Sequence, residues 1–298
     1  MKKVLLAAPV SDTFRKLLQE RNYFLLSEWD PEVEGIVTSN KLVLQKEQLQ
    51  TVPQLRWIAR LGSGMEIIDT DYCKSHNIAC FSSPEGIANS VAEHVCGMLL
   101  ALLHRIPVSF NEIKQGKWIR EGNRGQELAQ RCVGIIGYGH TGSAVAKKLQ
   151  AFTSEIIVYD KYKPGISDDW VTQVSLEELK QKADIISFHV PLNKETKHYY
   201  NDDFLKTCKT HILINASRGE VCATDTILYG LQQGNISGAC LDVLEEEAAI
   251  QEVLQTPQNK IEQLLQYPVI ITPHIAGYSF QAIEKMSAEL MDQLKNML

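Results

Sequence analysis

The sequence predicts an α/β fold with two domains, each built on a parallel sheet that helices cover on both faces. Short apolar runs alternate with helical patterns along most of the chain, as they do in parallel sheets. Residues 133–160 combine an apolar run, a glycine-rich turn, a helical pattern and a second apolar run that ends on an acid. The chain has 298 residues, which is long for one hydrophobic core and favours two domains.

The first part of the chain predicts a small α/β domain. The predicted strands are residues 4–8, 23–26, 35–39, 57–61 and 79–82, and the predicted helices are residues 12–21, 46–49 and 67–76. Serine and aspartate side chains accept hydrogen bonds from the first N–H groups of a helix, so the first helix is predicted to start at Ser11 and Asp12. The N-terminal apolar run is too short for a signal peptide and is interpreted as the first strand.

A long helix is predicted to connect the two domains. Ser90 and Glu93 match a Ser-x-x-Glu capping box, which predicts a helix from residue 91 to about residue 105, before Pro107. Another helical segment follows to about residue 115.

The second domain is predicted to contain six strands, the number in a full dinucleotide-binding sheet. The strands are residues 133–136, 156–159, 185–190, 212–216, 236–243 and 269–272, and the helices include residues 176–182, 203–209 and 224–233, after a pattern formed by Ala144, Val145, Leu149 and Phe152. No strand follows the amphipathic residues 279–297, so this last helix is expected to pack on the first domain. The predicted domains are therefore residues 1–92 with 277–298, which bind substrate, and residues 93–276, which bind a dinucleotide. The chain would then pass between the two domains twice, and these two connections would form a hinge with a cleft at the carboxyl ends of both sheets.

The glycine-rich turn predicts that the second domain is of the Rossmann type. The turn consists of Gly137, Tyr138, Gly139, His140, Thr141 and Gly142. Gly137 permits a tight turn, Gly139 lets the backbone approach a pyrophosphate, and Gly142 lets the helix pack closely on the strand. The helix N-terminus then faces the phosphates. The alternative is a βα unit without a ligand.

An acid predicts which dinucleotide binds. Asp160 ends the second strand 18 residues after Gly142, where an acid typically binds the ribose hydroxyls. A carboxylate at this position repels a 2′-phosphate, so NAD is favoured over NADP. Lys161 and Lys163 follow directly and leave NADP open.

Polar groups follow three strands of the second domain. Arg218 follows the fourth predicted strand, three glutamates at residues 245–247 follow the fifth, and His274 follows the sixth. Ligands of open α/β sheets bind beyond the carboxyl ends of the strands. Arginine binds carboxylates bidentately, and histidine exchanges protons near neutral pH when an acid fixes its tautomer. The combination indicates hydride and proton transfer on a carboxylic acid, although each residue alone is more often a surface charge or a loop residue.

The composition restricts the partners of the protein. A net charge of −6 argues against a nucleic-acid-binding surface. Seven cysteines, an odd number without a Cys-x-x-Cys pair, favour reduced thiols in the cytoplasm and no metal site. The sequence contains no run of about 18 apolar residues, so no membrane span is expected.

These motifs together resemble the D-isomer-specific 2-hydroxyacid dehydrogenases. The matching segments are residues 88–102, 106–118, 133–142, 189–192 (His-Val-Pro-Leu), 215–219 (Asn-Ala-Ser-Arg-Gly), 241–243 with Glu247, and 272–277 (Thr-Pro-His-Ile-Ala-Gly). They stand in family order over most of residues 55–280. The resemblance implies a Rossmann-type doubly wound parallel sheet inserted into a smaller flavodoxin-like α/β substrate domain.

The resemblance also implies the site residues. Arg218 would bind the substrate carboxylate, His274 would be the acid/base, Glu247 its partner, and Asp242 would contact the nicotinamide carboxamide. The remaining cofactor pocket would include Val190, Pro191, Thr196, Ala216, Ser217 and Gly277.

Three further features bear on the implied site. The family usually has proline after the catalytic glutamate, and Ala248 stands there in this sequence. The spacing from Asp242 favours Glu247, and Glu246 stays an alternative. The backbone amides of Gly62, Ser63 and Gly64 would bind the substrate carboxylate, the alternative being a simple strand-to-helix turn. His94 and His189 lie in family motifs and are expected to have packing roles.

The expected activity is reversible NAD-linked oxidation of a D-2-hydroxy acid. A likeness to phosphoglycerate dehydrogenases favours 3-phosphoglycerate, with Lys41 as a candidate phosphate ligand. Glyoxylate, hydroxypyruvate and D-lactate remain open, and a non-catalytic NAD-sensing protein, like the family's corepressors, is the alternative class. A homodimer through the cofactor domain is expected, with Leu99, Leu102 and Trp118 at the interface or in the core.

Overall fold

The computed structural model describes residues 2–40, 42–153, 155–295 and 297, and only the backbone of Ala248. The chain divides into two compact units, Met1–Ser90 with Gly277–Leu298, and Val91–Ala276. The first division lies two residues before the predicted boundary, and the second coincides with it.

The helices and strands alternate through both units. The strands are β1 (Lys2–Leu6), β2 (Tyr23–Leu26), β3 (Gly35–Thr38), β4 (Trp57–Arg60), β5 (Ala79–Ser82), β6 (Cys132–Ile136), β7 (Glu155–Tyr159), β8 (Thr172–Gln173), β9 (Ile185–Phe188), β10 (His211–Asn215), β11 (Ile236–Leu241) and β12 (Val269–Ile271). The helices are α1 (Asp12–Glu20), α2 (Lys46–Leu49), α3 (Thr70–Ser75), α4 (Pro84–Leu103), α5 (Ile106–Lys114), α6 (His140–Leu149), α7 (Leu176–Lys182), α8 (Asp202–Lys206), α9 (Thr224–Gln233), α10 (Ile250–Gln255), α11 (Lys260–Leu264) and α12 (Phe280–Leu294).

The smaller unit is built on a five-stranded sheet. Its strands lie in the order β2-β1-β3-β4-β5, and every neighbouring pair is parallel. This is the flavodoxin-like order, so the predicted fold of this unit is confirmed. Ser11 begins α1 as predicted, because its hydroxyl accepts a hydrogen bond from the Phe14 N–H at 3.2 Å.

The last helix packs on the smaller unit, as predicted. The apolar residues of α12 that lie in its core are Ala282, Met286, Leu290 and Leu294, together with Val4, Phe14 and Trp57 from the rest of the unit. Ser279 caps the helix by accepting the Ala282 N–H at 3.0 Å. A Cβ at Gly86 of α4 would lie 2.5 Å from the Met286 nitrogen of α12, so the backbones of these two helices touch there.

The start of α4 corrects a prediction. The helix begins at Pro84, so Ser90 and Glu93 lie inside it and form no capping box. Proline suits the first position of a helix, because the N–H that it lacks would have no partner there. By length and composition alone α4 could cross a membrane, which the sequence reasoning did not anticipate, yet half of its most apolar window is buried within the protein.

The larger unit is built on a seven-stranded parallel sheet. Its strands lie in the order β12-β11-β10-β9-β6-β7-β8. Counted within the unit this is 3-2-1-4-5-6 with one added strand, which is the Rossmann order. The predicted count of six missed β8, because two residues are too short to show a period. The predicted helix pattern after the glycine turn also ran too far: α6 ends at Leu149, and Phe152 lies beyond it, 42% exposed.

Candidate active site

The glycine turn lies at the point where the strand order of the larger sheet reverses. It follows β6, which pairs with β7 on one side and β9 on the other. Gly137 has φ +91°, and a Cβ on it would lie 2.6 Å from the His189 carbonyl oxygen, so only glycine fits. At Gly142 a Cβ would lie 2.0 Å from the Gly137 oxygen, which shows how closely α6 approaches the turn. A Cβ at Gly139 would meet no described atom within 4 Å, so the backbone there faces open space.

That open space adjoins the N-terminus of α6. His140 and Thr141 are the first residues of this helix, and Gly139 precedes them without a side chain that could cap it. The first N–H groups of a helix attract anions when no side chain caps them. The turn therefore fits a pyrophosphate.

Asp160 is held by the backbone around the turn. Its Oδ2 accepts the Tyr138 N–H at 2.8 Å, and its Oδ1 accepts the N–H groups of Tyr162 and Lys163 at 2.9 and 3.1 Å. Lys163 Nζ donates to the Tyr138 carbonyl oxygen at 3.1 Å, and Lys161 is paired elsewhere, with Glu195 at 2.7 Å. A fixed carboxylate beside two engaged lysines fits the ribose of NAD rather than a 2′-phosphate.

The other predicted cofactor residues lie after β9 and β10. Val190 Cγ1 would be 2.9 Å from a Cβ at Gly137, so it packs against the turn. Thr196 Oγ1 donates to the Pro191 carbonyl oxygen at 2.6 Å and stabilises the segment after β9. Ala216 and Ser217 directly follow β10. Gly277 belongs to the smaller unit, and its contact with a cofactor stays a prediction.

Arg218 stands in a turn that a buried asparagine organises. Asn215, 1% exposed at the end of β10, donates from Nδ2 to the Arg218 carbonyl oxygen at 2.9 Å. Its Oδ1 accepts the N–H and the hydroxyl of Ser217 at 3.1 and 2.8 Å. The half-buried guanidinium donates from Nη1 to the Ser217 carbonyl oxygen at 2.6 Å. The turn thus fixes the backbone from which the arginine reaches the sheet edge.

His274 and Glu247 form a direct pair. His274 Nδ1 lies 2.6 Å from Glu247 Oε2, and the side chains are 29% and 36% exposed. Because a carboxylate only accepts, Nδ1 carries the proton and Nε2 is left to exchange one with a ligand. Glu246 is exposed in a left-handed conformation, and Glu247 is the residue that faces the ring. The geometry therefore favours Glu247 over the alternative that the sequence left open.

The backbone at His274 is unusual. Its φ is +54°, a left-handed value that non-glycine residues rarely adopt. Asp242, with a side chain 1% exposed, accepts the N–H groups of Ile275 at 2.9 Å and Ala276 at 2.8 Å, directly after the histidine. It also accepts the Thr272 hydroxyl at 2.6 Å. Asp242 therefore holds the loop of His274, and its implied contact with nicotinamide stays a prediction.

The three strand ends lie level with one another. Asn215 pairs with Leu241, and Leu241 pairs with Ile271, so β10, β11 and β12 finish in register. Arg218, Glu247 and His274 therefore leave the sheet at one edge. This arrangement can hold a carboxylate and move a proton beside it.

The prediction that residues 62–64 of the smaller unit donate to the substrate carboxylate is corrected at Gly62. The Gly62 N–H donates to Ser83 Oγ at 2.9 Å, so it is not offered to a substrate carboxylate. Gly62 has φ +132°, and a Cβ on it would lie 1.8 Å from Arg60 Nη1, so glycine is required for packing. Among the residues that the structure describes, the N–H groups of Ser63 and Gly64 have no hydrogen-bond acceptor and stay candidates. Lys41 lies outside the described residues.

Sequence reasoning missed several residues that shape the site. Asn215 was seen only as part of a motif, although an asparagine at a buried strand end signals a side chain that bonds its own turn. Thr272 links Asp242 to His94, whose Nε2 lies 2.9 Å from the threonine hydroxyl, so His94 has a structural role. Glu245 was read only as one of an acidic run, and no sequence signal separates it from its neighbours.

Comparison with known proteins agrees with this geometry. A family model described as "D-isomer specific 2-hydroxyacid dehydrogenase, NAD binding domain" matches residues 96–276. The chain is 32% identical to the hydroxypyruvate reductase of Thermotoga maritima, covering 89% of this chain and 84% of that protein. It is 28% identical to human D-3-phosphoglycerate dehydrogenase over its whole length, but spans only 57% of that protein.

Among solved structures, a D-lactate dehydrogenase from Aquifex aeolicus in complex with NAD and lactic acid is similar, with a TM-score of 0.85 and 29% identity over 99% of this chain and 95% of the other. The family model covers more than half of the chain, and the glycine turn and Asp160 fit its cofactor. The chain therefore belongs to the D-isomer-specific 2-hydroxyacid dehydrogenase family, and it is an NAD-dependent oxidoreductase that acts on CH–OH donors.

Proposed function

We propose that this protein interconverts a small D-2-hydroxy acid and its 2-oxo acid, with hydroxypyruvate or glyoxylate as the oxidised substrate. The observation that carries the proposal is the set Arg218, Glu247 and His274 at the level ends of three adjacent strands. An arginine suits a carboxylate, and the histidine–glutamate pair suits a neighbouring carbonyl or hydroxyl.

In the proposed reduction, Arg218 binds the substrate carboxylate through two parallel hydrogen bonds. His274 Nε2 donates a proton to the C2 oxygen, and Glu247 stabilises the charged ring from Nδ1. When NADH is bound, it supplies the hydride to C2. In the oxidation, Nε2 accepts the hydroxyl proton.

A second candidate substrate is 3-phosphoglycerate, which the sequence favoured. Its support is the similarity to D-3-phosphoglycerate dehydrogenases along the whole chain. A phosphate needs further cations beyond Arg218. Arg60, at the end of β4, is only 4% exposed and donates to the Leu61 carbonyl oxygen at 3.2 Å. The 32% identity to a hydroxypyruvate reductase, over 84% of that protein, favours the small unphosphorylated acids.

The test is a panel of 2-oxo acids with NADH, followed by the absorbance of the nicotinamide. Hydroxypyruvate or glyoxylate should be reduced with a higher kcat/KM than 3-phosphohydroxypyruvate or pyruvate. His274→Ala should lower kcat by about a hundredfold or more, the usual range for a lost acid/base, with NADH binding unchanged by fluorescence. Tight NADH binding without reduction of any acid would contradict the proposal and favour the NAD-sensing class.

We also propose a homodimer in the cytoplasm. Exposed apolar side chains cluster along α5 and after it, at Ile106, Phe110, Ile113 and Trp118, the last 82% exposed. Such a surface favours a partner. Leu99, which the sequence assigned to either the interface or the core, is fully buried within its own chain and belongs to the core. Phe110→Lys should shift the sedimentation coefficient from dimer to monomer, and an unchanged value would contradict this surface.

A further inference from the structure

The segment that carries Glu247 is attached to the rest of the site by a neighbouring acid, Glu245. Its Oε2 accepts the Thr224 N–H at 2.6 Å, and its Oε1 lies 2.7 Å from His198 Nε2. The Glu245 side chain is 23% exposed. Burial raises the pKa of Glu245, but the hydrogen bonds from Thr224 and the proximity of His198 outweigh it and keep the pKa below its ordinary value. The carboxylate is therefore ionised at neutral pH.

The N-terminus of helix α9 lacks a capping side chain of its own and requires a hydrogen-bond acceptor from elsewhere. Thr224 is its first residue, and the preceding Ala223 has no polar side-chain atom to cap the helix. The first N–H groups of a helix lack partners within it and favour a negative charge. Glu245 supplies both an acceptor and a charge from a different segment.

The hydrogen bond between Glu245 and Thr224 connects the segment that carries Glu247 to the segment that carries Arg218. Thr224 lies six residues after Arg218 in the sequence. A Cβ at Gly219 would lie 1.9 Å from the Leu244 carbonyl oxygen, so the two backbones touch directly beside Arg218. Both the Gly219 contact and the Glu245 hydrogen bond thus join the two segments.

The direction of the turn from Leu244 to Glu247 depends on these points. The Leu244 N–H donates to Glu247 Oε1 at 3.3 Å, and Glu246 between them has φ +62°. Glu247 then points its other oxygen at His274. A turn with a left-handed residue has low intrinsic stability, so outside contacts must hold it.

We infer that Glu245 is a positioning residue, which holds the turn so that Glu247 faces His274 in register with Arg218. This inference rests on the proposed function for its kinetic consequence. Other titratable groups near Glu245 have different roles: Lys260 pairs with Asp225 at 2.7 Å, and Cys222 is buried.

The experiment compares Glu245→Ala and Glu245→Gln with Glu252→Gln, a matched change of an exposed glutamate on α10. The alanine variant should lose about tenfold to a hundredfold in kcat, because a displacement of about 1 Å can have that effect. KM should change by less than about threefold, since Arg218 keeps its own turn. Glutamine still accepts the Thr224 N–H, so that variant should stay near wild type. The Glu252 variant should match wild type, and thermal unfolding would identify any general loss of structure.

A second readout does not depend on catalysis. The ¹⁵N shifts of the His274 ring, measured near pH 8 where an ordinary histidine is neutral, report which nitrogen carries the proton. Nδ1 should be protonated in wild type and Glu245→Gln, and the tautomers should mix in Glu245→Ala. A kcat within twofold of wild type, or ring shifts unchanged by the alanine substitution, would overturn the inference. If wild type reduces no acid, the proposed function fails, while the ring shifts still test the positioning.

Discussion

The imidazole of His189 should make the free energy of unfolding depend measurably on pH. The residue follows β9, and its carbonyl oxygen packs against Gly137 of the cofactor turn. Its Nε2 lies 2.8 Å from Ser187 Oγ, and its Nδ1 is buried without a hydrogen-bond partner in the described part of the chain. Burial lowers the pKa of His189 to about 4 from 6.5. The folded protein therefore keeps this ring neutral at pH values where the unfolded chain protonates it.

The magnitude follows from the displaced pKa. Because the unfolded state binds the proton first, stability falls as the pH drops below about 6.5, and it goes on falling until the folded ring titrates near pH 4. Each pKa unit corresponds to roughly 1.4 kcal/mol, so the shift from 6.5 to about 4 should contribute at most about 3.5 kcal/mol to this loss. Above about pH 6.5 this loss is absent, because the ring is neutral in both the folded and the unfolded state.

The assay is urea unfolding of wild type, His189→Gln and His76→Gln across this pH range. His76 is exposed, so its substitution controls for the loss of a histidine. The free energy of unfolding of His189→Gln should depend less steeply on pH between 6.5 and 4 than that of the other two proteins. Parallel curves for all three would refute the assignment of a buried neutral ring, since the carboxylates common to all of them would then account for the whole slope.

Three other predictions test the site directly. Glu247→Gln should lower kcat by about a hundredfold while Glu246→Gln stays within about threefold, because only Glu247 meets the histidine ring; equal losses in steady-state assays would contradict this. Gly219→Ala should destabilise the protein by about 1–3 kcal/mol in urea, because its Cβ would lie 1.9 Å from the Leu244 oxygen. Asp160→Ala should weaken NADH binding by at least about tenfold, as expected for a lost charged hydrogen bond, without weakening NADPH to the same degree.

The order of elements could be predicted because each strand and helix has a period of its own. The same periodicity located the ends of the strands that precede Arg218 and His274. Predicted strands ran too far where apolar residues continue into a loop: Val243 follows β11 but is 3% exposed and packs in the core. Burial, and not strand geometry, keeps such residues apolar, so the sequence pattern does not mark the boundary.

Several contacts between distant segments could not be predicted from local patterns. Ser90 and Glu93 have the spacing of a capping box, but a helix that starts earlier makes the same spacing irrelevant. The Gly62 amide has the position of a substrate donor, but Ser83, 21 residues later, already accepts its proton. The resemblance implied Glu247 as the partner of the histidine, but this pairing depends on the left-handed conformation of Glu246, which no local propensity indicates.

The conformation of His274 explains why a network of polar side chains around the buried Asp242 surrounds the end of one strand. A non-glycine residue in a left-handed conformation costs of order 1–3 kcal/mol, and the chain holds it there only if neighbours compensate. Asp242 does so by accepting the two N–H groups that follow, at 2.9 and 2.8 Å. Thr272 then bonds the same carboxylate, and His94 bonds Thr272. Because this network keeps the buried carboxylate satisfied, the ring of His274 is fixed by the backbone behind it as well as by Glu247 beside it.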